Sequence, residues 1–134
     1  MIKDIPIRKV EDVLVAIMPQ VHDPEAITWE VYLINLKPEP IGNVLVCSRG
    51  YGELNDQPVN TSVLRHFFAT VPSLSYQKVE QIQTKVFALN NEYMVTFTHD
   101  DFLFDKKYTF MSGSIDEQNF TQVPLINRQG VVIG

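Results

Sequence analysis

Cysteine is nearly missing from this chain, with Cys47 the single one in 134 residues. An intramolecular disulfide and any zinc site built on several thiolates are therefore excluded. Basic clusters are missing too: the longest run is the pair Lys106 and Lys107, and the formal net charge is −5. Nucleic-acid binders draw most of their affinity from phosphate neutralisation, so DNA and RNA are disfavoured as partners. No apolar run approaches the ~20 residues of a membrane helix. Residues 1–6 carry no apolar stretch of the signal-peptide kind. The expectation is a cytoplasmic, bacterial-type protein with no membrane partner. Only six glycines are present, and Gly50-x-Gly52 lacks both the third glycine and the following helix of a dinucleotide fingerprint. With no phosphate-loop sequence either, no cofactor is expected. G-x-S-x-G is absent, and Ser75-Tyr76-Gln77-Lys78 matches S-x-x-K without the partner motifs of that enzyme class.

What is present is ordinary globular material: 45% hydrophobic and 20% charged residues in a chain of common domain length. One β-rich domain over residues 1–134 is the natural reading. Residues 13–18 form a short apolar run ended by Pro19, the mark of a buried strand. Residues 29–36 are apolar on both alternating faces, which places that strand centrally. Residues 37–43 hold two prolines and a glycine and read as a connection, and 44–48 as a third strand with Cys47 as a small core residue. Residues 50–58 read as the longest loop, on their density of turn formers. Residues 60–69 fit either a capped short helix or a strand. Residues 75–89 are balanced between helix, from Val79, Ile82 and Val86, and strand, from their β-branched content.

The second half is plainer. Tyr93, Val95 and Phe97 alternate toward one face, and Phe102, Phe104, Tyr108 and Phe110 toward one face of a partner, predicting a hairpin with aromatic cross-strand pairs. Its tip is His99-Asp100-Asp101. Ser114-Ile115-Asp116-Glu117 matches a capping box, and residues 123–126 and 131–133 can add edge strands. Many short strands between turns predict an antiparallel β-sandwich or partly open barrel with one or two short helices.

Candidate chemistry is sparse. His22, His66 and His99 are scattered and lack metal-ligand spacing, and the acidic group at the hairpin tip lacks a calcium-loop pattern. No metal and no catalytic residue are assigned. The strongest binding candidates are Arg49 and Tyr51 on a glycine-flanked loop, joined by Arg65 and His66. Arginine and tyrosine combine planar donors with aromatic area and often anchor interfaces.

Trp29-Glu30-Val31-Tyr32-Leu33-Ile34-Asn35, residues 44–52, Thr61-Ser62-Val63-Leu64-Arg65-His66 and Leu89-Asn90-Asn91-Glu92-Tyr93 together carry a resemblance. They are similar to a family of short bacterial proteins often labelled phenylalanyl-tRNA synthetase alpha subunit, across almost the whole chain. The label would imply ATP and phenylalanine as ligands. Arg49-Gly50-Tyr51-Gly52-Glu53 reproduces neither signature motif of a class II synthetase core, and 134 residues cannot house that core with a tRNA-binding arm. No synthetase residue carries over. The sequence thus points to a non-enzymatic accessory or protein-interaction module, with a protein partner or a second copy of the chain as its target. The alternative is a small ligand binder or enzyme with a site around Tyr51, Arg65 and His66.

Overall fold

Residues 9–20 and 25–134 are described by a computed structural model, so His22 and most of the turn read at 21–25 lie outside the described residues. Ten strands follow in order: β1 (Val13–Pro19), β2 (Thr28–Asn35), β3 (Ile41–Leu54), β4 (Gln57–Asn60), β5 (Leu64–Val71), β6 (Ser75–Gln83), β7 (Asn90–His99), β8 (Phe102–Phe110), β9 (Thr121–Val123) and β10 (Arg128–Ile133). Two tight 3₁₀ turns, Thr84–Ala88 and Glu117–Asn119, complete the set. The first sheet runs β6-β2-β1-β10-β9. In the second, long β3 pairs with β7, which pairs with β8. Along its other edge β3 takes β5 first and β4 near its end. Every pairing is antiparallel, and the two sheets face each other as an open sandwich, not a closed barrel. No helix among the described residues is long and apolar enough to cross a membrane.

Alternation along the strands builds the core. Val15, Ile17, Val31 and Leu33 of the first sheet meet Val46, Val95, Phe97 and Tyr108 of the second. β2 is central, as its two apolar faces predict, because Ile34 is also fully buried, in a smaller cluster with Ala16, Met18 and Val123 on the outer face of the first sheet. The predicted hairpin is present: Tyr93 stands opposite Tyr108 and Phe97 opposite Phe104, whose rings stack 5.2 Å apart. Phe102 departs from that pattern and is exposed at the tip.

Several sequence expectations need correction. The segment read as the longest loop, 50–58, is the end of β3 and the start of β4. Only Asn55 and Asp56 turn, with φ of 53° and 62°, the left-handed pair of a tight hairpin. Asn and Asp tolerate that region better than other non-glycine residues. Residues 75–89 are strand followed by a 3₁₀ turn, not an α-helix. Their helix-like spacing has a cause: a β-bulge at Val79 brings Val79 and Ile82, three residues apart, to the same side. Residues 64–71 resolve as strand β5. Cys47 is half-buried and not a core residue, because Val46 and Ser48 take the inward positions on either side of it. β10 is interior to its sheet and β9 is the edge. Finally, Asp116 caps the short turn instead of Ser114, accepting from Gln118 N at 2.9 Å.

Glu30 fastens the outer side of the first sheet. It receives Lys78 Nζ from β6 at 3.1 Å and Arg128 Nη1 from β10 at 3.1 Å. Burial alone would raise its pKa, but the hydrogen bonds and charges of those two cations outweigh it and hold the carboxyl below its ordinary value. A carboxyl depressed on folding adds stability above its unfolded pKa of about 4.3, and this is lost as pH falls through the folded value. Urea midpoints between pH 3 and pH 6 are therefore expected to fall less steeply with acid in Glu30→Gln than in the parent. Parallel slopes would contradict this account.

Candidate binding cleft

The bulge in β6 determines the site. Val31 faces Glu80 and Tyr32 faces Lys78 across the pair, so Val79 is an extra residue in β6. Without it, Glu80 would share the outward side of Lys78. With it, Glu80 turns into the sandwich and meets three donors from the second sheet. Bulges commonly re-aim a side chain in this way. Ser48 Oγ of β3 donates to Glu80 Oε1 at 2.9 Å, and His66 Nε2 of β5 lies 2.8 Å from the same oxygen. Tyr93 Oη of β7 donates to Oε2 at 3.0 Å. The Glu80 side chain is only 8% exposed, so the carboxylate depends on these partners in place of water. Burial pushes the Tyr93 phenol well above its ordinary pKa, and the charge of Glu80 and its hydrogen bond add to the shift.

Beside this cluster, between Leu64 at the start of β5 and Glu80 and Ile82 of β6, lies a cleft of about 210 Å³. Ser48, Glu80 and Tyr93 line it with the apolar Leu64, Ile82 and Val86. Both flanks are clamped. Thr61 N donates to Gly50 O at 2.8 Å while Gly50 N donates to Thr61 Oγ1 at 2.7 Å, holding the β4–β5 connection to β3. On the other flank Asn91 Nδ2 donates to Val86 O at 2.9 Å and to Leu89 O at 3.1 Å, holding the 3₁₀ turn.

The four residues singled out from sequence are not brought together. His66 stands opposite Val46 on the inward side, whereas Arg65 stands opposite Cys47 on the outer face and is exposed. Arg49 and Tyr51 lie on strand β3, not on a loop, and share that outer face. Arg49 Nε sits 3.1 Å from Glu92 Oε2, and its guanidinium lies 4.7 Å from the Tyr51 ring centroid. The Glu92 hydrogen bond and charge push the Arg49 pKa up. Lys107 Nζ, 3.7 Å from Glu92, extends this group. Sequence reasoning missed Ser48, Glu80 and Tyr93 as polar partners. No local signal pointed to Glu80, because its inward turn depends on the bulge in β6.

The cluster holds an imidazole, a carboxylate and a hydroxyl, but its order is not that of a catalytic triad. In a triad the nucleophilic hydroxyl gives its proton to the imidazole, and the carboxylate orients that imidazole from behind. Here Ser48 and His66 address the same oxygen of Glu80, so the serine proton points at the carboxylate. At the far end, His99 Nε2 pairs with Glu39 Oε1 at 2.9 Å, an exposed contact beside the hairpin tip. Among the described residues no group of three or more His, Cys, Asp or Glu is placed to hold a metal ion.

Compared with known proteins, the chain matches no family model and no curated sequence.

Proposed function

We propose that this β-sandwich is a non-enzymatic protein-interaction module that anchors one donor-bearing side chain of a partner protein in the cleft between β5 and β6. The observation that carries this reading is the buried Glu80 carboxylate at the cleft, which takes three contacts from the fold and keeps acceptor capacity for one more donor. Three properties support it. A volume of about 210 Å³ is below the ~300–1,000 Å³ of small-molecule sites, and suits a single side chain. The charged lining residues are Glu80 and Arg49, and the Arg49 guanidinium is already paired with Glu92, which leaves the carboxylate to attract a cation. Leu64, Ile82 and Val86 would cover the alkyl stem of a lysine or arginine whose charged head approaches the carboxylate.

The test uses side-chain mimics with amide-resolved NMR. Butylammonium and butylguanidinium should shift the resonances of Ser48, Gly50, Glu80 and Ile82, and butanol should shift them less. Ser62→Phe, at an exposed position of the rim, should remove the effect while leaving the rest of the spectrum in place. Equal shifts from butanol, or shifts that persist unchanged in Ser62→Phe, would remove the cleft from the interaction. A ligand-binding or enzymatic reading draws on the His66–Glu80 pair, and the synthetase label on ATP and phenylalanine. On the present reading neither compound raises the thermal midpoint at millimolar concentration, since a ligand that binds the folded state must stabilise it.

A further inference from the structure

The 3₁₀ turn that walls the cleft with Val86 presents the next residue, Phe87, to a second and larger cavity of about 470 Å³. That volume is within the range of sites that enclose small molecules. Three aromatic residues from separate parts of the chain line it: Trp29 of β2, Phe87, and Phe120 after the second short turn. Phe87 lies 5.0 Å from the Trp29 ring at an interplanar angle of 87°, and Phe120 lies 5.6 Å away at 66°. At these distances the rings pack edge to face on one another and form a continuous aromatic wall along one side of the cavity. Trp29 is fixed in orientation, because its indole Nε1 donates to Ala26 O at 3.2 Å. All three rings rest on the main core yet remain only partly buried.

Among the described residues, the charged side chains that line this cavity are Asp116 and Glu117. Both are exposed, and Asp116 is held in place by accepting from Gln118 N through Oδ1. Arg128 approaches the Pro19 carbonyl on this side, but its charge is taken up by Glu30. Lys85 is adjacent in sequence to the lining residue Thr84. Aromatic faces carry negative potential and attract cations, most strongly when the cation is weakly hydrated. A primary ammonium would exchange its strong hydration for ring walls that accept no N–H, with only the exposed carboxylates of Asp116 and Glu117 at the rim to replace water. A quaternary ammonium has no N–H to satisfy and packs its methyl groups against the rings.

We propose that the Trp29–Phe87–Phe120 cavity binds a small quaternary ammonium compound of the choline type, with Asp116 and Glu117 attracting its charge. The site is separate from the Glu80 cleft, and its test does not depend on that reading.

Trp29 is the sole tryptophan, so its fluorescence reports the cavity directly. Choline is expected to change the emission saturably, with a dissociation constant in the low-millimolar range or tighter. The neutral isostere 3,3-dimethylbutan-1-ol should bind at least ~5-fold more weakly, the share that a cation–π contribution of about 1 kcal/mol supplies. Phe120→Leu should abolish the preference for the cation. Should that variant unfold, the exposed pair Asp116→Asn and Glu117→Gln keeps the test, since asparagine still caps the turn. There, choline affinity should drop several-fold and that of the neutral alcohol should hold. Equal affinity for choline and the alcohol, or no saturable change with choline at ~50 mM, far above any useful dissociation constant, would overturn the proposal.

Discussion

Glu80→Ala is expected to cost about 3 kcal/mol of stability, because removing one partner of a buried polar cluster strands the others. Truncation leaves the Ser48 hydroxyl and the Tyr93 phenol without their acceptor, and both residues are at most 5% exposed. His66, partly exposed, can turn to water and loses less. For a chain of this size the thermal midpoint should fall by roughly 10 °C. Glu80→Gln keeps the shape and one acceptor, and the loss should be about half. Ser48→Ala and Tyr93→Phe remove a donor without stranding the carboxylate, so each should cost only ~1 kcal/mol. Urea unfolding of the four variants measures this directly. A Glu80→Ala variant within ~0.5 kcal/mol of the parent, the range of ordinary surface substitutions, would mean that the bulge does not seat the carboxylate as described.

The second large effect lies at alkaline pH. Tyr93 and Tyr108 both ionise above the ordinary phenol range, the first through burial and then Glu80, the second through burial alone. Tyr108 Oη also donates to Val13 O at 2.6 Å, joining the two sheets. The folded state favours the neutral phenols, so the unfolded chain releases these protons first. Their contribution is complete below about pH 10, the unfolded pKa, and is lost as pH rises toward the folded values. The limiting slope is ~1.4 kcal/mol per pH unit for each phenol, so two should cost several kcal/mol by pH 12. Urea midpoints from pH 9 to pH 11.5 should fall steeply for the parent, less for Tyr93→Phe, and least for Tyr93→Phe with Tyr108→Phe. Identical alkaline slopes in parent and double variant would refute the account.

Both effects arise from one architectural fact. Polar atoms inside this sandwich are placed where the sheets touch: Tyr108 ties β8 to the backbone of β1, and the Glu80 cluster ties β6 to β3, β5 and β7. Each is a directional contact within an otherwise apolar layer. The Glu80 cluster stands beside the cleft, so one carboxylate braces the sheets and also lines that cleft.

The unbroken apolar run of β1, the two apolar faces of β2 and the alternation of the β7–β8 hairpin were enough to read those strands from the chain alone, since burial on both faces or on one imposes each pattern residue by residue. Composition alone set aside disulfides and clusters of thiolate ligands. Other features depended on partners far away in sequence. Turn-forming residues at 50–58 looked like a loop, yet only Asn55 and Asp56 turn, because β7 and β4 supply the backbone partners that keep β3 extended. Val79, Ile82 and Val86 imitated a helix because one inserted residue shifted the parity of β6, and a bulge leaves no mark of its own in the order of side chains. The same shift decided the site. Parity of neighbouring strands put His66 inside and Arg65 outside, while the bulge brought Glu80 round to meet residues fourteen, thirty-two and thirteen positions away. Local pattern tells which side chains are apolar and how they alternate. Strand register decides which polar ones face each other.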